Sequence, residues 1–197
     1  MSFIYAKQLK VEFNVYGHFY QLVEGKHQFD CRSQLEIIRS NFKDTEESMP
    51  NAVVIMMNPG SSKPLDPEYK IKQFSSKQIF SKRWEKEFVA TQPDNAQYQI
   101  MRLMKKHRWQ HVRVINLSDL RNGNSLEFAK SYVQAEKILT SAAFCMNHSK
   151  RKHELVKCLN TSGPVIAAWG SLSVLKKAAE KTLKQFEKIA YQTKVTA

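Results

Sequence analysis

The sequence predicts a three-layer α/β/α sandwich around a central, mostly parallel sheet, and three apolar runs carry that prediction. Ala52–Met57, Val112–Leu117 and Val165–Trp169 are short and apolar, and segments of helical periodicity separate them. Runs of this kind are strands buried on both faces, and strands that alternate with helices build a parallel sheet covered on both sides. The chain has 197 residues, 42% of them hydrophobic, with only six glycines and six prolines. That is the composition of a single domain with a real core, spanning 1–197, rather than of a disordered or repetitive chain.

The first fifty residues read as a hairpin followed by a helix or extended segment, a region 1–50 that packs on the domain. Val11–Tyr16 alternates, as does the stretch from Phe19 to Leu22. Asp44–Asn51 is a polar loop that delivers the chain into the first buried strand, 52–57. Residues 61–92 are rich in Ser, Lys and Gln, with aromatic landmarks at Tyr69, Phe74, Phe80, Trp84 and Phe88. They read as a long functional loop holding one or two short helices. From Asp94 the pattern turns helical, with Ile100, Leu103 and Met104 on one face, and the second strand follows at 112–117. Leu126–Cys145 and Lys150–Leu159 read as further helices, and the third strand, 165–169, runs into a helix that begins near Leu172.

Charge is the first functional clue. Thirty-one Lys and Arg against eighteen Asp and Glu give a net charge of +13 and a pI near 9.7, a field that attracts polyanions, nucleic acid above all. The charge is also uneven. Between Asn95 and Ser118 there is no acid, while Arg102, Lys105, Lys106, Arg108 and Arg113 fall in that window beside His107 and Trp109. Bases interleaved with aromatics suit phosphate contact and stacking, so Arg102, Lys105, Lys106 and Arg108, with Lys63, are the candidate DNA-binding residues. A generically basic surface is the competing explanation. No apolar run is long enough to span a bilayer, and the N-terminus lacks the pattern of a secretion signal. Three cysteines without a CxxC pair fit a reducing compartment. The expectation is a cytoplasmic monomer that binds DNA, with no membrane, metal or cofactor.

In a parallel sheet, ligands bind beyond the carboxyl ends of the strands. The residues to inspect are therefore Asn58-Pro59-Gly60-Ser61-Ser62 after the first strand, Asn116 to Arg121 at the second, and Trp169-Gly170-Ser171 after the third. Each cluster alone is a weak signal that an ordinary turn or strand end also gives; three on one sheet edge are a better signal than any one of them. GxGxxG, GxxxxGK[ST] and GxSxG are absent, which argues against a dinucleotide fold, a P-loop and a serine hydrolase.

These clusters carry a family resemblance. Val53–Ser62 resembles the first motif of mismatch-specific and thymine-DNA glycosylases, and Val165–Ser171 the Trp-Gly-Ser strand of uracil-DNA glycosylases. The chain as a whole is most similar to the DUF1643 family, through Asn58-Pro59-Gly60, Asn116-Leu117-Ser118-Asp119-Leu120-Arg121 and Ala168-Trp169-Gly170, over roughly residues 30 to 172. It departs from uracil-DNA glycosylases in having neither histidine nor proline after Trp169. The resemblance implies a uracil-DNA-glycosylase-like fold and a monofunctional DNA glycosylase that flips a modified or damaged base and leaves an abasic site. Some members of the fold group excise hypermodified bases such as glucosylated hydroxymethylcytosine from phage DNA as antiviral defence. By the same resemblance Asn58 holds the attacking water. Asp66 is the nearest carboxylate in that loop, to stabilise the cationic sugar, unless it is an exposed Asp-Pro turn residue. Backbone N–H groups of Gly60 and Ser61 face the base or a phosphate, and Pro59, Ser62, Ser118, Trp169, Gly170 and Ser171 complete the pocket. Asn116, Asp119 and Arg121 stand beside them, and Phe74 either stacks on the flipped base or packs in the core. The competing functions are a non-catalytic DNA- or RNA-binding module on the same fold and a nucleoside or nucleotide hydrolase.

Overall fold

The computed structural model describes residues 3–42, 49–80 and 85–195. The polar loop expected at 44–51 and the landmark Trp84 lie largely or wholly outside them. A short helix, α1 (Ala6–Glu12), leads into two long strands, β1 (Phe13–Glu24) and β2 (His27–Arg39). They form an antiparallel hairpin closed by Gly25-Lys26, where Gly25 takes the positive φ of 57° that the first position of such a turn demands. After β3 (Ala52–Met56) come three short strands, β4 (Lys63–Pro64), β5 (Lys72–Phe74) and β6 (Val89–Gln92), with one 3-10 turn at Gln78–Phe80. Then follow α2 (Asn95–His107), β7 (His111–Asn116), α3 (Ser125–Ile138), α4 (Lys152–Leu159), β8 (Val165–Ala168) and α5 (Lys176–Val195).

The strands form one sheet in the order β4-β6-β1-β2-β7-β3-β8, with β5 beside β1. β3 lies between β7 and β8 and pairs parallel with both, as the three apolar runs predict. The sheet as a whole is mixed, not mostly parallel: β1 with β2, β2 with β7, β1 with β6 and β4 with β6 all pair antiparallel. The cause is the hairpin. Its strands run 12 and 13 residues, and β2 bonds directly to β7, so the hairpin extends the sheet sideways instead of lying against it. β8 differs from expectation too: it is the sheet's edge and half open, with Val165 41% exposed.

Two cores, one on each face, give the layers. Leu9, Tyr98, Met101 and Met104 of α1 and α2 pack on Leu35, Ala52, Val54, Val112 and Val114. On the other face Phe128, Tyr132, Leu155, Cys158 and Ala178 of α3, α4 and α5 pack on Val53, Ile55, Ile115 and Leu117. β3 and β7 thus send alternate side chains into different cores. In β2 the alternation breaks. Phe29 and Cys31 enter the α3–α5 core, yet Leu35 and Ile37, of the same parity, enter the α1–α2 core. A bulge reconciles them: His18 pairs with Gln34 and Phe19 with Arg32, leaving Ser33 as the extra residue. Arg32, opposite in direction to Cys31, is thereby turned to the α1–α2 face.

Candidate functional site

The parallel strands stop together. Met56 pairs in register with Asn116 on one side and Ala168 on the other, so Asn58, Asn116 and Trp169 stand at one end of the sheet. Between the ends of β3 and β8 and the N-terminus of α2 opens a cleft of about 680 Å³. Asn58, Pro59, Gly60, Asp94, Gln97, Trp169, Gly170 and Ser171 line it. That volume is of the size that holds a small organic ligand.

Asn58 is 8% exposed and donates from Nδ2 to the backbone oxygen of Asn122 at 2.7 Å. With the amide nitrogen fixed, Oδ1 is the atom left to accept from a ligand or water. Gly60 has φ of 67°, and a Cβ there would run into the Asp94 carboxylate; only glycine lets the loop lie this close to the helix. Asp94 is the N-cap of α2: Oδ1 accepts from the N–H of Ala96 at 3.0 Å and of Gln97 at 3.3 Å, and Oδ2 from the N–H of Ser61 at 3.2 Å. Gln97 returns a hydrogen bond from the Asp94 N–H to its Oε1 at 3.0 Å, which completes a capping box. One carboxylate therefore joins the strand-end loop to the helix. From below, Arg121 donates through Nε to the Ser62 carbonyl at 3.0 Å with its guanidinium over the Phe19 ring. Arg32, fully buried, donates through Nη1 to the Ser62 hydroxyl. Burial pushes its guanidinium down to about 9, with Asp94 acting in the opposite direction.

Other expected residues lie elsewhere. Asp66 is on an exposed turn where Oδ1 accepts from the Glu68 N–H at 2.9 Å, away from the cleft; the carboxylate that lines the cleft is Asp94. Phe74 is buried in the α3–α5 core and cannot stack on a ligand. Asp119 is fully buried, and its Oδ2 accepts from Tyr20 at 2.7 Å and from Arg151 at 2.6 Å. It forms an interior ion pair instead of touching the cleft. Glu154, the other partner of Arg151, is held at about 2: burial works against its charge, but Arg151 and Lys86 prevail. Ser118 is buried and its hydroxyl accepts from the Leu120 N–H at 3.3 Å. Asn116 is 1% exposed and lies behind the cleft wall.

The basic cluster is also displaced. α2 starts at the cleft and is about 20 Å long at 1.5 Å per residue, so Lys105, Lys106 and Arg108 sit at the far end of the sheet. Arg102 donates to the Ile4 carbonyl at 2.9 Å and covers the Phe3 ring, and Lys105 pairs with Glu12 of α1 at 2.5 Å. Those two fasten the N-terminal segment. Lys63 is exposed, three residues beyond Gly60.

Sequence reading overlooks Asp94, Gln97 and Arg32 as site residues. For Asp94 and Gln97 the signal was present, since Asp-x-x-Gln before a helix is a capping pattern; Arg32, of opposite parity to Cys31 and Leu35, reads as an ordinary outward-facing residue of an alternating strand. Among the described residues no group of three His, Cys, Asp or Glu side chains could hold a metal ion, and no helix is long and apolar enough to cross a membrane. Compared with known proteins, the chain matches no family model, no curated protein and no solved structure, so its own geometry carries the functional reading.

Proposed function

We propose that the chain is a monofunctional DNA glycosylase that hydrolyses the N-glycosidic bond of a modified or damaged base flipped into the cleft. The observation that carries the reading is the meeting of Asn58, Asp94 and Trp169 in one nucleoside-sized cleft. Breaking this bond leaves an oxocarbenium-like sugar, which a water then attacks. The protein must exclude bulk solvent, hold one water and oppose the developing positive charge. Asn58 Oδ1 accepts from the water and orients it. Asp94, in the place assigned from sequence to Asp66, stabilises the cationic sugar and takes the proton of the attacking water. Trp169 offers an aromatic surface to the extruded base.

The test is mass spectrometry of bases released from natural DNAs, modified phage DNA included, followed by alkali cleavage of the abasic product. Asn58→Ala and Asp94→Asn are each expected to slow release roughly 10²-fold or more. Asparagine caps a helix as well as aspartate, so the second variant removes the charge and keeps the cap, at the cost of the acceptor that Oδ2 offers the Ser61 N–H. Tight DNA binding by the wild type with no base released from any DNA would make the chain a binding module.

A further inference from the structure

A capping box asks only for an acceptor at the third position of its helix, and glutamate serves there as well as glutamine. Gln97 meets that demand with Oε1, which accepts from the Asp94 N–H at 3.0 Å. Its Nε2 is left as a donor the fold does not use. Among the described residues that atom has no hydrogen-bond partner, although Gln97 is only 1% exposed. Unlike the amide of Asn116, which is sealed from solvent, it keeps accessible surface, and Gln97 lines the cleft. Its direction is fixed. Asp94 Oδ1 accepts from the Gln97 N–H at 3.3 Å, so reciprocal bonds hold the side chain and set Nε2 next to Asp94. Buried donors almost always find acceptors, and the space this one opens on is the cleft. The acceptor that completes it belongs to a ligand.

We propose that Gln97 Nε2 donates to the leaving base, at O2 of a pyrimidine or N3 of a purine. The proposal rests on the excision reading and supplies what that reading lacks, a stabiliser of the departing anion. When the C1′–N bond breaks, its electron pair stays on the base and spreads from the ring nitrogen to these acceptors. O2 and N3 each lie two bonds from the glycosidic nitrogen, and so close to C1′ and to the carboxylate that serves it. A hydrogen bond to this atom strengthens as charge arrives, which lowers the barrier to bond breaking. The attacking water gives its hydroxyl to C1′, and its proton passes through Asp94 to the base nitrogen. A neutral donor suits the position. A lysine or arginine here would pair with Asp94 and cancel the charge meant for the sugar, and a glutamate would repel the departing anion.

The experiment titrates free cytosine, uracil and hypoxanthine into the isotope-labelled full chain and follows its side-chain amides by NMR. Each base is paired with an analogue that lacks the acceptor: 4-aminopyrimidine, 4-pyrimidinone and 3-deazahypoxanthine respectively. The amide signal lost in Gln97→Glu identifies Nε2. Wild type is expected to bind at least one base, with an Nε2 proton moving downfield to saturation, and the base that binds assigns the class. Gln97→Glu and the uncharged Gln97→Met should each weaken that binding at least tenfold. The matching analogue should bind wild type at least tenfold more weakly than its base, and neither substitution should weaken it further, because both changes delete one shared contact. The analogue comparison needs wild type alone, so it decides even where a variant fails to fold. No binding of any base, an Nε2 signal that stays in place, or an analogue that binds as tightly as its base would overturn the subsite. So would base binding that survives intact in a folded Gln97→Glu chain. If a base binds through Gln97 but none is released from DNA, the subsite stands and the excision reading alone falls.

Discussion

A buried amide, carboxylate or imidazole is a statement about which charges the fold will tolerate, and His18 makes that statement most sharply. It is 3% exposed, with Nδ1 2.7 Å from the Ser33 hydroxyl. Burial, reinforced by the nearby Lys86, pushes its pKa from 6.5 down to about 3. The folded chain thus keeps His18 neutral at pH values where the unfolded chain protonates it. Its contribution to stability is complete above pH 6.5 and drains away as pH falls towards 3, with a slope approaching about 1.4 kcal/mol per pH unit. Urea midpoints measured from pH 7 to pH 4 should fall along that slope in the wild type and more gently in His18→Gln. Equal slopes would remove His18 as the source. The same scale shows why Asn58 and Trp169 were legible and Arg32 was not. Asn58 and Trp169 each follow directly on an apolar run, where chain continuity alone places them at a strand end. Arg32 comes beneath Ser62 of the cleft loop only because a distant strand pairs with β7, and nothing local to it signals that pairing.

Among the elements, the three parallel strands were readable because uniform burial writes itself into composition. The hairpin's role in the sheet was not, since alternation marks a strand without naming its neighbour. The open edge at β8 was missed for the converse reason: Val165–Ala168 is as apolar as a central strand, yet it has a neighbour on one side only. The bulge at Ser33 decides the most. Because side chains alternate with period two, one residue more or less turns everything beyond it to the opposite face. Deleting Ser33 would force either Phe29 and Cys31, or Leu35 and Ile37, out of the core each now occupies. The deletion should abolish cooperative folding, seen as lost near-ultraviolet dichroism. Ser33→Ala, which removes only the hydrogen bond to His18, should cost about 1 kcal/mol. A deletion variant as stable as Ser33→Ala would show that β2 tolerates either register.

For the molecule as a whole, the question is which surface the charge of +13 serves. The acid-free window in the sequence points to α2, but the structure sends the exposed part of that cluster, Lys106 and Arg108, to the end of the sheet farthest from Asn58. Among the described residues, the exposed cations around the cleft include Lys63 beyond the Asn58–Ser62 loop and Lys176 and Lys177 at the start of α5, just after the cleft-lining Ser171–Ser173 segment. A duplex that delivers a flipped base to Asn58 must run past these lysines, because a nucleotide swung out of the stack reaches only a few ångströms from its own phosphates. Association should weaken steeply with salt, and each phosphate contact adds about 0.9 to the log–log slope. Reversing Lys176 and Lys177 to glutamate should therefore flatten the slope by about two and weaken binding to any sequence equally. The same reversal at Lys106 and Arg108 should leave the slope nearly intact, apart from the loss of overall field. Fluorescence anisotropy with a short duplex between 50 and 300 mM salt, on the order of the range over which counterion release is read, separates the two. If only the α2 reversal flattens the slope, the DNA lies across the far end of the sheet, and the cleft serves a substrate that is not carried on that duplex.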